Sequence, residues 1–192
     1  GDWPMPDGDA LVAACRRAVA HARAAGWTLL WVQHHEPGGP MDGAGFAIDP
    51  RLDPAPGEAR VRHEAVGLNY AALGALLGGC SRVLLAGLQS DCCVRATALG
   101  GRQRALPVEV IADAHHTWAS EGRSALAIRD AVNAELAAAG IPTPRLDTLD
   151  LDVATEFLLI AATLVELKTR RLLPDDTDLD LDDELALWEE RD

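Results

Sequence analysis

The chain is nearly without lysine. Lys168 is the only one among 192 residues, and arginine supplies every other basic side chain. Residues 1–147 therefore offer no lysine for charge support in a catalytic site. Basic charge is scarce overall. The formal net charge is −13, which argues against nucleic acid as a direct ligand, because phosphate contacts need clustered Lys and Arg. Aromatic residues make up 4 % of the chain, so a core must be built from Ala, Leu and Val. No apolar run reaches the ~20 residues that a membrane-spanning helix needs. The longest candidate, FLLIAATLVEL, is interrupted by Thr163 and Glu166. The N-terminus carries no signal-peptide pattern. Cys15, Cys80, Cys92 and Cys93 show neither disulfide nor zinc spacing. A reducing cytoplasm is the expected compartment.

What is present is a chain with 48 % hydrophobic residues, enough for one α/β domain with an appendage. Its charge is uneven. Residues 1–147 hold 16 acids against 13 bases, while residues 148–192 hold 14 acids against 4 bases. Two segments of different character, 1–147 and 148–192, are thus expected.

Asp9 is placed to cap a helix over about 10–25, closed by Gly26. WTLLWVQ reads as a buried strand. Residues 34–60 are rich in Gly and Pro and read as a long loop, of a length usually tied to function. EARVRH is a short strand, NYAALGALLGG a helix, and SRVLLAGLQ a second buried strand. DCCVRATALGGRQRA follows as a helix after a tight turn. LPVEVIAD is a third strand, and a helix over about 122–139 ends at Gly140. Alternation of this kind predicts a three-layer α-β-α fold with a mostly parallel sheet. The series starts on a helix, where such folds start on a central strand.

The tail changes style. LDVATEFLLIAATLVELKTRRLLP predicts one strong helix, with Asp152 as its cap, basic residues in its last turn and Pro174 as its stop. Val153, Phe157, Ile160, Leu164 and Leu167 recur at helical spacing, a stripe that needs a partner. An acidic linker and a short amphipathic helix follow.

The stretch AGLQSDCCVRATA carries the chemistry. A strand ending at Gly87, a tight turn and a helix beginning near Cys93 form a nucleophile elbow. A first-turn position favours thiolate, and its unpaired N–H groups can form an oxyanion hole. Spacing alone leaves a second reading open, in which both cysteines are small buried hydrophobes.

LLAGLQSDCCVRATALGGRQRALPVEVIADAHHTW resembles the signature of isochorismatase-like cysteine hydrolases, a family that includes nicotinamidases and carbamoyl amidohydrolases. Gly87, Ser90, Asp91, Cys93, Val94, Thr97 and Ala98 fit its cysteine-turn pattern. ADAHHTW and IDPRLDPAPGEARVRH resemble two further blocks, and the likeness covers about residues 1–140. The resemblance implies an isochorismatase-like fold, a small-molecule substrate, a homo-oligomer and Cys93 as a nucleophile forming a thioester. It also implies a cis peptide at Leu88–Gln89 and an oxyanion hole from the Gln89 and Cys93 N–H groups.

The family's triad adds an aspartate and a lysine. The aspartate belongs on a first strand that lies upstream of GDWPMPDGDALVA, so that strand is expected to be missing here. His63 stands at the lysine position and is the candidate substitute in the triad; Asp2 and Asp7 are candidate stand-ins for the acid. VQHHEP offers His34 and Glu36 where some relatives bind a metal through Asp and His. With His115 and His116 these are expected to line the pocket without metal or cofactor. Impaired hydrolysis of a small amide, carbamoyl or vinyl-ether substrate is the resulting expectation.

ATEFLLIAATLVELKTRRLLP and the acidic stretch after it resemble part of segregation and condensation protein A, the kleisin of bacterial condensin. That resemblance implies a helical tail able to meet a condensin-type partner. A non-catalytic interaction protein is therefore the alternative to a hydrolase.

Overall fold

The computed structural model describes residues 5, 7–35, 37–38, 47–63, 77, 80–149 and 156–161. Helix α1 spans Gly8–Ala24 and leads through a glycine turn into β1, Thr28–His34. A short 3-10 turn at Pro50–Leu52 precedes β2, Ala59–His63. Strand β3, Arg82–Leu88, runs through a π-helical turn at Ser90–Val94 into α2, Arg95–Gln103. Strand β4 is Val108–His116, α3 is Ala125–Ala138, and β5 is Glu156–Ala161. The strands form one sheet in the order β2-β1-β5-β3-β4, and every neighbouring pair is parallel.

The three layers follow from the apolar pattern. Leu11, Cys15, Ala18 and Ala22 recur at helical spacing and are buried on one side of α1. They pack with Leu29, Trp31, Leu84, Ala86, Leu88, Ile111 and Ala114 from one sheet face. The alternate residues Leu30, Val32, Val83, Leu85, Val108 and Val110 meet Val94, Ala98, Val132 and Leu136 on the other. Strands β1 and β3 are thus apolar on both faces, as a covered parallel sheet requires. Burying a Leu or Val side chain contributes ~1.5–3 kcal/mol.

One polar hub joins the last turn of α1, the middle of β1 and the segment before β2. Glu58 accepts from Arg23 Nε at 2.7 Å, Trp31 Nε1 at 2.7 Å and the Ala55 N–H at 2.7 Å. Burial opposes its charge, but these donors and the Arg23 guanidinium hold its carboxyl below the usual range.

Several expectations need correction. Asp7, in the left-handed region at φ 56°, is the residue at the α1 cap, and no side chain caps the helix. Asp9 lies in the first turn and pairs with Arg51 at 2.7 Å. Strand β4 runs three residues past the expected end at Asp113 and includes both histidines. The largest correction concerns the tail. Residues 156–161, expected within a long helix, form the central strand of the sheet. A short apolar run such as FLLIA fits either state by pattern alone, and here pairing on both sides decides it. Thr28 to Val32 of β1 pair with Phe157 to Ala161, and Arg82 to Gly87 of β3 pair with Glu156 to Ala161. The remaining tail and the expected helix before β3 lie outside the described residues, apart from Leu77.

Candidate active site

Parallel strands bring their carboxyl ends to one edge of the sheet, where α/β folds bind ligands. Here that edge carries His34, His63, Leu88, His116 and Ala161 as the last residues of the five strands. The cysteine turn rises from the end of β3.

Local geometry makes the turn. Gly87 has φ 114°, a conformation closed to residues with a Cβ. The Leu88–Gln89 peptide is cis, as the resemblance implied. Gln89 is extended, and its carbonyl accepts from the Cys92 N–H at 3.3 Å and the Val94 N–H at 3.0 Å. This closes the turn around Cys92 and Cys93, both half-buried. Regular α-helix begins only at Arg95, so Cys93 sits in a π-helical turn before α2 and not within its first α-turn.

Two side-chain bonds brace the turn from β4. Three residues of β4, more than its partner uses, are taken up between the Leu85–Val110 and Gly87–His115 pairs. Such a bulge re-aims the strand end and sets His115 beside Gly87. His115 Nδ1 lies 2.8 Å from Ser90 Oγ, and its Nε2 lies 2.9 Å from Asn133 Oδ1 on α3. Asn133 Nδ2 donates to the Ala112 carbonyl at 3.1 Å, which leaves its Oδ1 as an acceptor. The assigned tautomer therefore has His115 donating from Nε2 and accepting at Nδ1 from the Ser90 hydroxyl. Burial pushes the His115 pKa down to about 4, with Arg129 and His116 adding to the effect against the Asn133 bond and Asp113. The ring is neutral at pH 7. The second brace runs from Thr117 Oγ1 to Asp91 Oδ1 at 2.6 Å.

Ser90 is fully buried, so the Ser90–His115–Asn133 chain holds the turn and offers no exposed hydroxyl nucleophile. Sequence pattern singled out Ser90, Asp91 and His115 but missed Asn133 and Thr117. Asn133 is distant in the chain and adjacent only through packing; Thr117 was visible in ADAHHTW without an assigned partner.

Gln89 and Cys93 belong to the turn. His63 ends β2, in register with His34 of β1. Three strand positions separate β2 from β3, about 14 Å of backbone at ~4.8 Å per step. Register alone does not bring His63 onto Cys93. Asp7 serves at the α1 turn; Asp2 and Glu36 lie outside the described residues. Cys15 is packed under α1, its Sγ 3.5 Å from the Ala114 carbonyl, and burial pushes its thiol up to about 12. Among the described residues, no group of three or more His, Cys, Asp or Glu is arranged to hold a metal ion. No helix among them is long and apolar enough to cross a membrane.

A parallel three-layer sheet with a braced cysteine turn at its carboxyl edge defines the class, and comparison with known proteins agrees. The family model for the Isochorismatase domain matches residues 1–140. The chain belongs to the isochorismatase family. Residues 143–192 match a second model, Segregation and condensation protein ScpA. A putative isochorismatase hydrolase from Oleispira antarctica is 18 % identical, with a TM-score of 0.66 over 75 % of this chain and 82 % of that one. An isochorismatase family protein from Desulfovibrio vulgaris is 24 % identical, with a TM-score of 0.61 over 73 % and 82 %. The MAR1 ribonuclease of Caenorhabditis elegans shares the fold at 17 % identity, with a TM-score of 0.60 over 71 % and 66 %. At these identities the likeness is one of fold. No curated protein matches the chain.

Proposed function

We propose that the chain is a cysteine hydrolase acting on a small amide or carbamoyl substrate, with Cys93 as nucleophile. The observation that carries this reading is the half-buried Cys93, held by a turn braced at Ser90 and Asp91 on the carboxyl edge of the sheet. Cys93 Sγ attacks the acyl carbon, and a C–S bond forms. The oxyanion is held by the Gln89 and Cys93 N–H groups. The Cys92 and Val94 N–H groups are spent on closing the turn. Collapse breaks the C–N bond and releases ammonia or an amine, which takes up the thiol proton. Water then cleaves the thioester, restoring the thiol and releasing the acid. A vinyl-ether substrate would use the same pocket.

Activity is expected to be low. The only lysine is Lys168 in the tail. Strand β5, at the sheet centre, has its one acid, Glu156, at the amino end, away from Cys93. His63 is the remaining triad substitute. Loss of a base partner lowers such rates by orders of magnitude.

The test is ammonia release from a panel of small primary amides and carbamoyl compounds, comparing wild type with Cys93→Ala. Slow turnover that disappears in the variant supports the proposal; turnover retained by Cys93→Ala refutes it. Selective alkylation of Cys93 by iodoacetamide over Cys15 near neutral pH supports it independently of substrate.

The match of residues 143–192 favours a second reading, a degenerate scaffold with a condensin-type protein partner. Binding of the full chain to such a partner with no turnover would select it. Either reading fits a reducing compartment and a homo-oligomer, which sedimentation tests.

A further inference from the structure

The centre of the sheet is made by a segment remote in sequence from the strands beside it. Strand β1 is paired with β2 on its outer side, and β3 with β4 on its outer side. Without β5 the two pairs would face each other across a gap two strand spacings wide, ~10 Å between backbones. Both edges would present unpaired N–H and C=O groups between two covered apolar faces. With β5 in place the flanking residues Leu29 to Val32 and Val83 to Leu88 are all buried, so its departure would open two apolar edges at the sheet centre.

We propose that this slot is a strand-accepting site filled in cis by residues 156–161, and that leaving it dismantles the cysteine turn. The occupant is a match in length, direction and composition. It pairs with β1 over Phe157–Ala161 and with β3 over Glu156–Ala161, and FLLIA supplies an uninterrupted apolar run. Reach also suits the same chain. Leu149 is buried against the α1 face, and the seven steps to Glu156 span up to ~24 Å.

The same residues carry the helical stripe read from the sequence. A helix with its side chains is ~10–12 Å across and satisfies its own backbone, so it pairs with neither edge. Strand and amphipathic helix therefore exclude one another for residues 156–161. The final pairs couple this choice to the site. Ile160 pairs with Ala86 and Ala161 with Gly87, immediately before Leu88, Gln89 and the turn. Release of β5 leaves Gly87 held from the β4 side alone. A protein that captured the tail as a helix would thereby remove the support of Cys93.

The test needs no substrate, so its outcome is separate from that of the hydrolase proposal. Hydrogen exchange on the intact chain should show amides 157–161 protected within about tenfold of those of β3. Under low urea, amides of Ser90–Val94 should become exposed together with those of β5. Fast exchange at 157–161 while β3 stays protected overturns the strand assignment. Opening of β5 with an unchanged turn overturns the coupling. The double variant Ala86→Cys/Ile160→Cys adds a geometric check, because direct neighbours lie within disulfide reach. An intrachain bridge supports the proposal. A bridge between two chains assigns the slot to a second copy and overturns occupation in cis.

Discussion

Acidifying the protein from pH 7 to pH 4 should remove a contribution that His115 makes to stability. In the fold its ring is buried, neutral and bonded on both sides, to Ser90 and Asn133. Its pKa is pushed down to about 4 from an ordinary 6.5. Above pH 6.5 the ring is neutral in both the folded and the unfolded chain, and the full contribution is present. Between pH 6.5 and 4 the unfolded chain takes up a proton that the fold refuses, so stability falls with pH. Each unit is worth ~1.4 kcal/mol, which gives roughly 3 kcal/mol lost by about pH 4. Glu58 and Asp49, whose pKa values are lowered, also lose stability as pH falls, so a control is needed. His115→Gln keeps a neutral polar side chain and cannot titrate. Urea unfolding of both proteins at pH 7, 6, 5 and 4 separates the two effects. The stability difference, wild type minus variant, should shrink by roughly 3 kcal/mol across the series. A difference constant with pH would refute the assignment of a neutral, buried His115.

The braces and the core give further expectations. Ser90→Ala strands His115 Nδ1 and should cost ~1–3 kcal/mol by urea unfolding, whereas Ser90→Thr should restore most of it. Glu58→Ala leaves Arg23, Trp31 Nε1 and the Ala55 N–H without their shared acceptor; a loss of ~2 kcal/mol is expected in the same assay. Leu84→Ala, fully buried between α1 and the sheet, should cost ~2–5 kcal/mol. Timed iodoacetamide labelling with peptide mapping should find Cys93 modified first and Cys15 spared until unfolding, because Cys15 is buried and its thiol is held protonated.

Much of this arrangement was legible in the residues. Strands β1 and β3 announce themselves as apolar runs bounded by Gly26 and by the turn after Gly87. The cysteine turn is local, so its pattern of Gly87, Ser90, Asp91 and Cys93 survives as spacing along the chain. What escaped is tertiary. Asn133 reaches His115 only because α3 packs over β4. Asp9 looked like a cap, yet Asp7 takes that place while Asp9 serves an ion pair with Arg51. His63 aligned with a catalytic position, but sheet order sets it three strands from β3, a distance that no linear pattern carries. Residues 156–161 satisfy a helical stripe and a strand run equally well. Their state is decided by the open edges of β1 and β3, which are contributed by residues more than 60 positions upstream.

The central claim, that Cys93 is a nucleophile, is tested most directly by trapping its acyl intermediate. The intact chain is exposed to an activated small acyl ester at neutral pH, and the product is examined by intact-mass and peptide mass spectrometry. A nucleophilic Cys93 gives a single hydroxylamine-labile acyl adduct at that residue, absent from Cys93→Ser. Acylation spread equally over Cys80, Cys92 and Cys93, or none on Cys93, would contradict it.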